Sequence, residues 1–382
     1  MSLLEVRDLK VTFPTADGLV QAVRGVSFSL ERGRTLGIVG ESGSGKSVST
    51  QTLLGLTPGA EVSGEALFEG RDLLKMNDKD LRELRGPKMA AIFQDPLSSL
   101  HPLYKVGWQI VEMIRAHEPI SKAKAKLRAV DLLKLVGIPQ PDLRVDDYPH
   151  QFSGGMRQRA MIAMALALNP ELIIADEPTT ALDATVQAQI LTLLGRLQKE
   201  LDSALIMITH DLGVIADIAD NVMVMYAGRA VEYADRRSLY YDPHHPYTKG
   251  LLESVPGSTG AGERLRAIPG QPPSLINLPP GCGFHPRCRY VMDQCVTTMP
   301  ELMPVGGSEA HRSACWLPSE LVGLSEDIEQ GRIKAATAGR GEKVKQVAAT
   351  LAEQPVAAAH AAGTVSGREP AGGGPRHAQE GE

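Results

Sequence analysis

The sequence predicts an α/β fold built on a parallel β-sheet, and two observations carry that prediction. Four short apolar runs, at residues 35–39, 89–93, 172–175 and 204–208, each end in polar groups. Runs this short and this apolar read as strands buried on both faces, the usual condition of a parallel sheet. The segment Gly40-Glu41-Ser42-Gly43-Ser44-Gly45-Lys46-Ser47 follows the first run and fits G-x-x-x-x-G-K-[ST] at every fixed position. A helix-compatible stretch, 48–56, comes after it.

That strand–loop–helix context specifies phosphate chemistry. Glycines let the backbone curl so that successive N–H groups, at Gly40, Ser42, Gly43 and Gly45, point inward onto phosphate oxygens. The helix N-terminus adds its partial positive charge. Lys46 is expected to reach the β- and γ-phosphates, and the Ser47 hydroxyl to ligate Mg²⁺. Ligands of parallel α/β sheets bind outside the carboxyl ends of the strands. The polar residues that end the other three runs, Gln94, Asp176 with Glu177, and His210, are therefore expected to converge on the same site. Asp176 holds Mg²⁺ through water in this reading. Glu177 polarises the attacking water as general base. Gln94 reaches the Mg²⁺ shell and that water, and His210 senses the γ-phosphate.

Composition bounds the class. The 382 residues exceed what one core usually fills. Forty basic against forty-five acidic residues give a net charge of −5, and aromatics make up only 4%. Neither a basic footprint nor a base-stacking platform is expected, so no nucleic acid is expected as partner. The N-terminus is charged too early for a signal peptide. No apolar run reaches about eighteen residues, the length of a spanning helix. The four cysteines all follow residue 280, which fits a cytoplasmic protein better than a secreted disulfide scaffold.

Along the chain, residues 3–32 read as an antiparallel pair turning at Thr15-Ala16-Asp17-Gly18, with a second hairpin around 66–70. Phe13 either stacks on a nucleotide base or packs in the core; the sequence leaves both open. Between Gln94 and residue 152 the pattern turns helical: 106–116 is one helix, and Ser121 caps another that Gly137 and Pro139 stop. Phe152-Ser153-Gly154-Gly155-Met156-Arg157-Gln158-Arg159 opens a helix through Ala167. Ser153, Gly154 and Gly155 make a second anion-binding element at a helix start. One nucleotide does not need two such elements in one subunit, whereas two subunits placed head to tail use both. No internal repeat is evident.

These motifs resemble the ATP-binding subunits of ABC transporters over roughly residues 3–255. The phosphate loop corresponds to the Walker A, Gln94 to the Q-loop and Ser153-Gly154-Gly155-Met156-Arg157-Gln158 to the signature. Asp176 and Glu177 correspond to the Walker B and catalytic pair, Ala181-Leu182-Asp183 to the D-loop and His210 to the switch. The signature departs from the commoner L-S-G-G-Q at Phe152 and Met156. The resemblance implies a P-loop ABC ATPase: a RecA-like core, an antiparallel β subdomain and a helical subdomain inserted at about 97–152. It implies ATP and Mg²⁺ as cofactors, with Gln94, Glu177 and His210 in catalysis and Asp183 near the nucleotide. Gln94-Asp95-Pro96-Leu97-Ser98-Ser99-Leu100-His101-Pro102, Tyr148-Pro149-His150-Gln151, His245-Pro246-Tyr247-Thr248 and Ile268-Pro269-Gly270-Gln271-Pro272-Pro273 resemble the dipeptide/oligopeptide importer branch, which includes nickel importers. The implied function is ATP hydrolysis that drives peptide uptake from the cytoplasmic face of the membrane. The implied partners are a second ABC ATPase subunit, two integral membrane permease subunits and, through them, an extracytoplasmic substrate-binding protein. The alternatives are a soluble ABC ATPase acting on ribosomes or DNA, or an importer of nickel or another small solute. Leu97 to Tyr104 is expected to receive a membrane subunit, unless its apolar residues are core.

Residues 256–322 form a Pro- and Cys-rich C-terminal extension, and 323–382 read as a disordered tail with a short helix near 343–353. Cys282, Cys288, Cys295 and Cys315 fall within 34 residues, spaced C-x₅-C-x₆-C-x₁₉-C. No C-x₂₋₄-C zinc knuckle is present. The wider spacing suits a [4Fe–4S] cluster, with zinc as the alternative and disulfides disfavoured by a reducing cytosol. Related peptide-importer subunits carry a similar segment, some with such a cluster. Arg287 and Arg289 are expected to offset the cluster's charge.

Overall fold

In the computed structural model, residues 2–180, 182–255 and 267–317 are described. The expected tail, its short helix and Ala181 lie outside them. Two sheets organise the chain. The first is antiparallel and has the order β2-β1-β4-β5. It comprises β1 (Ser2–Thr15), β2 (Gly18–Glu31), β4 (Glu61–Phe68) and β5 (Arg71–Asp72). β1 and β2 turn where the sequence places the turn, with Thr15 opposite Gly18.

The second sheet has the order β11-β12-β10-β9-β3-β8-β7-β6. Its parallel part comprises β3 (Thr35–Val39), β6 (Met89–Ile92), β7 (Leu172–Asp176), β8 (Ala204–Thr209) and β9 (Asn221–Tyr226). The first four are the apolar runs; β9, parallel to β3, escaped the sequence reading. Three strands extend the sheet antiparallel to their neighbours: β10 (Arg229–Asp235), β11 (Met303–Val305) and β12 (Ser308–Ser313).

Every residue of β3, β7 and β8 is buried, yet successive side chains still point to opposite faces. Ile173, Ala175, Leu205, Met207, Val222 and Val224 pack into one core with the helices. Leu172, Ile174, Ile206, Ile208, Met223 and Met225 pack into a second core with the antiparallel sheet. A continuous apolar run is thus two interleaved faces, each with its own partner layer.

The segment after Gln94 is helical. It holds Val106–His117 and Lys122–Leu135, whose N-cap Ser121 accepts the Lys124 N–H. Gly137 follows at φ 77°. Helix Gly154–Ala165 then starts at Ser153, whose hydroxyl accepts the Met156 N–H at 3.3 Å. Leu100 is 1% exposed and belongs to the core, so it is no part of the surface expected at 97–104. Leu97 and Leu103 are exposed, and Tyr104 stacks on Trp108 with ring centroids 4.3 Å apart.

A buried carboxylate ties the extension's hairpin to the sheet. Glu232 of β10, fully enclosed, accepts the backbone N–H groups of His244 and His245 at 2.7 and 3.0 Å. Its Oε1 lies 2.8 Å from Nε2 of His311 on β12. Glu232→Ala leaves these donors without an acceptor, and we expect a loss on the order of 3 kcal/mol in unfolding free energy. Denaturant unfolding measures it; an unchanged midpoint means the carboxylate contributes nothing.

Candidate nucleotide site

The loop after β3 owes its shape to two glycines. Gly45 has φ 95°, and a Cβ there would sit 2.2 Å from the Ala22 carbonyl oxygen. Gly40 has φ 155°, and a Cβ would sit 2.2 Å from the Met225 carbonyl oxygen. Close backbone approach on both sides holds the loop open toward solvent, with helix Lys46–Leu53 starting beneath it.

Lys46 is 4% exposed, and its Nζ donates to the carbonyls of Gly40 at 2.7 Å and Glu41 at 2.9 Å. Burial lowers its pKa, opposed by the charges of Glu177, Asp176 and Glu41. Ser47 Oγ donates to Asp176 Oδ1 at 2.8 Å, and Gln51 Nε2 approaches Oδ2 at 3.4 Å. Burial raises the Asp176 pKa, although the Ser47 bond opposes it. The two side chains expected to serve Mg²⁺, Ser47 and Asp176, are therefore in direct contact.

Glu177 stands at the end of β7 with φ 47°, a left-handed conformation that costs a non-glycine residue energy and recurs at functional sites. Its N–H is bound by the Ile208 carbonyl at 2.9 Å. Its Oε2 accepts from Thr180 Oγ1 at 2.8 Å and from Gln94 Nε2 at 3.3 Å, and lies 3.4 Å from His210 Nδ1. One carboxylate oxygen thus gathers the ends of three parallel strands. A water activated there would be oriented by the glutamine and the histidine.

The cleft above the loop has a volume of about 1000 Å³ and is lined by residues 41–48, Gln94, Glu177 and His210. Leu251, Ser254, Ala267, Ile268 and Pro272 form another wall. Ala267, Ile268 and Pro272 belong to the extension, which the sequence reading kept apart from the nucleotide. Gln51 and Thr180, which hold the two acids, were also missed. Polar residues with no motif of their own carry no sequence signal; only the fold brings them to the acids.

Other expected residues lie elsewhere. Phe13 is half-buried against the second core and is not among the cleft's walls. Ser153, Gly154 and Asp183 are exposed and Gly155 half-exposed, all outside the cleft. Asp183 caps helix Ala184–Leu201 by accepting the Val186 N–H.

The arrangement of the cysteines gives the expected cluster no support. All four are free thiols. Among the described residues no group of three or more His, Cys, Asp or Glu side chains is placed to hold a metal ion. The [4Fe–4S] site expected at Cys282, Cys288, Cys295 and Cys315 is therefore not preformed. Burial raises the pKa of Cys288 and pushes Cys315 to about 12, and repulsion from neighbouring sulfurs adds to both. Tyr290 and Leu317 donate N–H groups to Cys288 Sγ and Cys315 Sγ, each at 3.4 Å. The arginines do not serve the cysteines as expected. Arg287 pairs with Glu41, and Arg289 lies 4.0 Å from Glu253.

Comparison with known proteins agrees with this geometry. Residues 23–180 match the ABC transporter family, and residues 231–295 match the oligopeptide/dipeptide transporter C-terminal region. The oligopeptide transport ATP-binding protein OppD of Bacillus subtilis is 54% identical over 319 residues, covering 82% of this chain and 88% of that protein. The dipeptide transport ATP-binding protein DppD of Bacillus subtilis is 50% identical over 321 residues, covering 83% and 95%. Among solved structures, a dimeric, post-hydrolysis ATP-binding cassette bound to ADP and Pi is similar with a TM-score of 0.56 and 26% identity. It covers 61% of this chain and 99% of that one.

Glu177→Gln should preserve ATP binding and lower turnover at least about a hundredfold, as loss of a general base does. Lys46→Ala should weaken nucleotide binding itself. Equilibrium binding and steady-state hydrolysis separate the two; near-normal turnover in the Glu177 variant removes it from that role.

Proposed function

The chain belongs to the ATP-binding subunits of ABC transporters, in the oligopeptide/dipeptide group, and from that premise we propose how it works. It is an ATPase whose hydrolysis drives peptide uptake across the cytoplasmic membrane. The observation that carries this reading is the convergence of Lys46, Ser47, Gln94, Asp176, Glu177 and His210 at the mouth of one parallel sheet. ATP would lie on the phosphate loop; Ser47 and Gln94, with Asp176 acting through water, would hold Mg²⁺, which would supply positive charge against the phosphates. Glu177 takes the proton of the attacking water. The named relatives are peptide transport proteins, which leaves ribosome- or DNA-directed ATPases and nickel import without support.

A second ATPase subunit completes the site. Ser153, Gly154 and Gly155 stand outside this subunit's cleft at the start of a helix whose N–H groups suit phosphate, and Asp183 also stands outside it. Head-to-tail pairing brings them over the partner's nucleotide, and the similarity to a dimeric cassette supports that arrangement. Two integral permease subunits receive the motion, and an extracytoplasmic binding protein delivers the peptide to them. No described helix is long and apolar enough to cross a membrane, which suits a peripheral subunit on the cytoplasmic face. Exposed Leu97 and Leu103, with the Tyr104–Trp108 stack, form the surface for the permease.

Affinity isolation of the intact complex from membranes tests this reading. Permease subunits should co-purify and cross-link at Leu97 and Leu103, and the complex should hydrolyse ATP faster when loaded with peptide. Stimulation by nickel and not by peptide would overturn the cargo, and absence of cross-links would overturn the docking surface.

The cysteines enter the proposal through their donor set alone: four thiols within 34 residues, two of them accepting backbone N–H groups. A [4Fe–4S] cluster there would brace an extension with little core of its own. Purification without air should yield iron and acid-labile sulfide in stoichiometric amounts. Stoichiometric zinc without sulfide, or no metal, would remove the cluster.

A further inference from the structure

A carboxylate in a phosphate loop opposes the loop's purpose, because it repels the polyanion the loop receives. Glu41 occupies such a place, second in the loop and on the wall of the cleft. Its charge is answered by one residue of the extension. Arg287 Nη1 donates to Glu41 Oε2 at 2.5 Å and Nη2 to Oε1 at 2.9 Å, a bidentate pair. The arginine side chain is 4% exposed. Its Nε donates to the Pro269 carbonyl at 2.8 Å and its Nη1 to the Tyr226 hydroxyl at 3.2 Å. Its guanidinium carbon lies 5.8 Å from the Tyr226 ring centroid and 6.0 Å from that of Phe284. The Glu41 backbone is held as well: its N–H donates to the Tyr247 hydroxyl at 2.8 Å. A guanidinium locked this firmly fixes where the loop's second residue sits. The loop carbonyl of Glu41 in turn anchors Lys46.

We propose that Arg287 is a positioning residue for ATP, neutralising Glu41 and holding the phosphate loop, so that the cysteine-rich extension is part of the nucleotide site. The short turn His285–Arg287 presents this arginine between Cys282 and Cys288, so the fold of the cysteine segment sets its reach. The inference rests on the reading of the cleft as an ATP site, which ATP turnover by the unsubstituted complex tests separately.

The test is the KM for ATP and kcat of the assembled importer carrying Arg287→Ala, Glu41→Gln or both. Arg287→Ala exposes the phosphates to an uncompensated carboxylate. KM should rise about tenfold at low salt, with kcat at saturating ATP within about twofold, and the rise should shrink as added salt screens the charge. Adding Glu41→Gln removes the repelling charge and should return KM to within about threefold of wild type. A merely structural arginine gives no such rescue and no salt dependence, and either result overturns the proposal. Should Arg287→Ala fail to assemble, Glu41→Gln alone decides. Its amide oxygen still accepts from one Nη of Arg287 while its charge is gone, so KM should not rise; a several-fold rise overturns the proposal.

Discussion

A lysine ammonium buried at the base of a glycine loop is the constraint on which the rest of this structure depends. A charge so enclosed must be met by oxygens. Lys46 finds two loop carbonyls, and burial still lowers its pKa. The loop must therefore bend back over the lysine, which requires glycines where the Ala22 and Met225 carbonyls leave no room for a Cβ. Three acids oppose that lowering, Glu177, Asp176 and Glu41, and the first two are those the proposed chemistry uses. Phosphate oxygens compete for the same ammonium, so the site is built around a cation already desolvated and aimed.

The two cores explain how so polar a site stays rigid. The sheet buries one face against helices and the other against the antiparallel sheet, so the ends of β3, β7 and β8 are fixed from both sides. Glu177 keeps its left-handed backbone because Ile208, on the adjacent strand, accepts its N–H. On the far edge, β9 and β10 carry the sheet into the extension. There the buried Glu232 and the ring cluster of Tyr226, Tyr247 and Phe284 support the back of the loop. The extension is thus continuous with the catalytic sheet through hydrogen bonds, and its residues line the cleft.

The sequence by itself determined the phosphate loop, the four apolar strands and their polar ends, because these signals are local. Turn residues, short apolar runs and caps such as Ser121 act within a few positions of themselves. The same locality made the helix start at Ser153 legible. Only the tertiary structure decided what lies far apart in the chain. It brought Arg287 to Glu41 across 246 positions, with no periodicity to announce the pair. It buried Leu100, at the end of a short helix, while leaving Leu97 and Leu103 outside. It gathered four cysteines without shaping a metal site from them, since spacing limits how far thiols can reach but packing decides where they point.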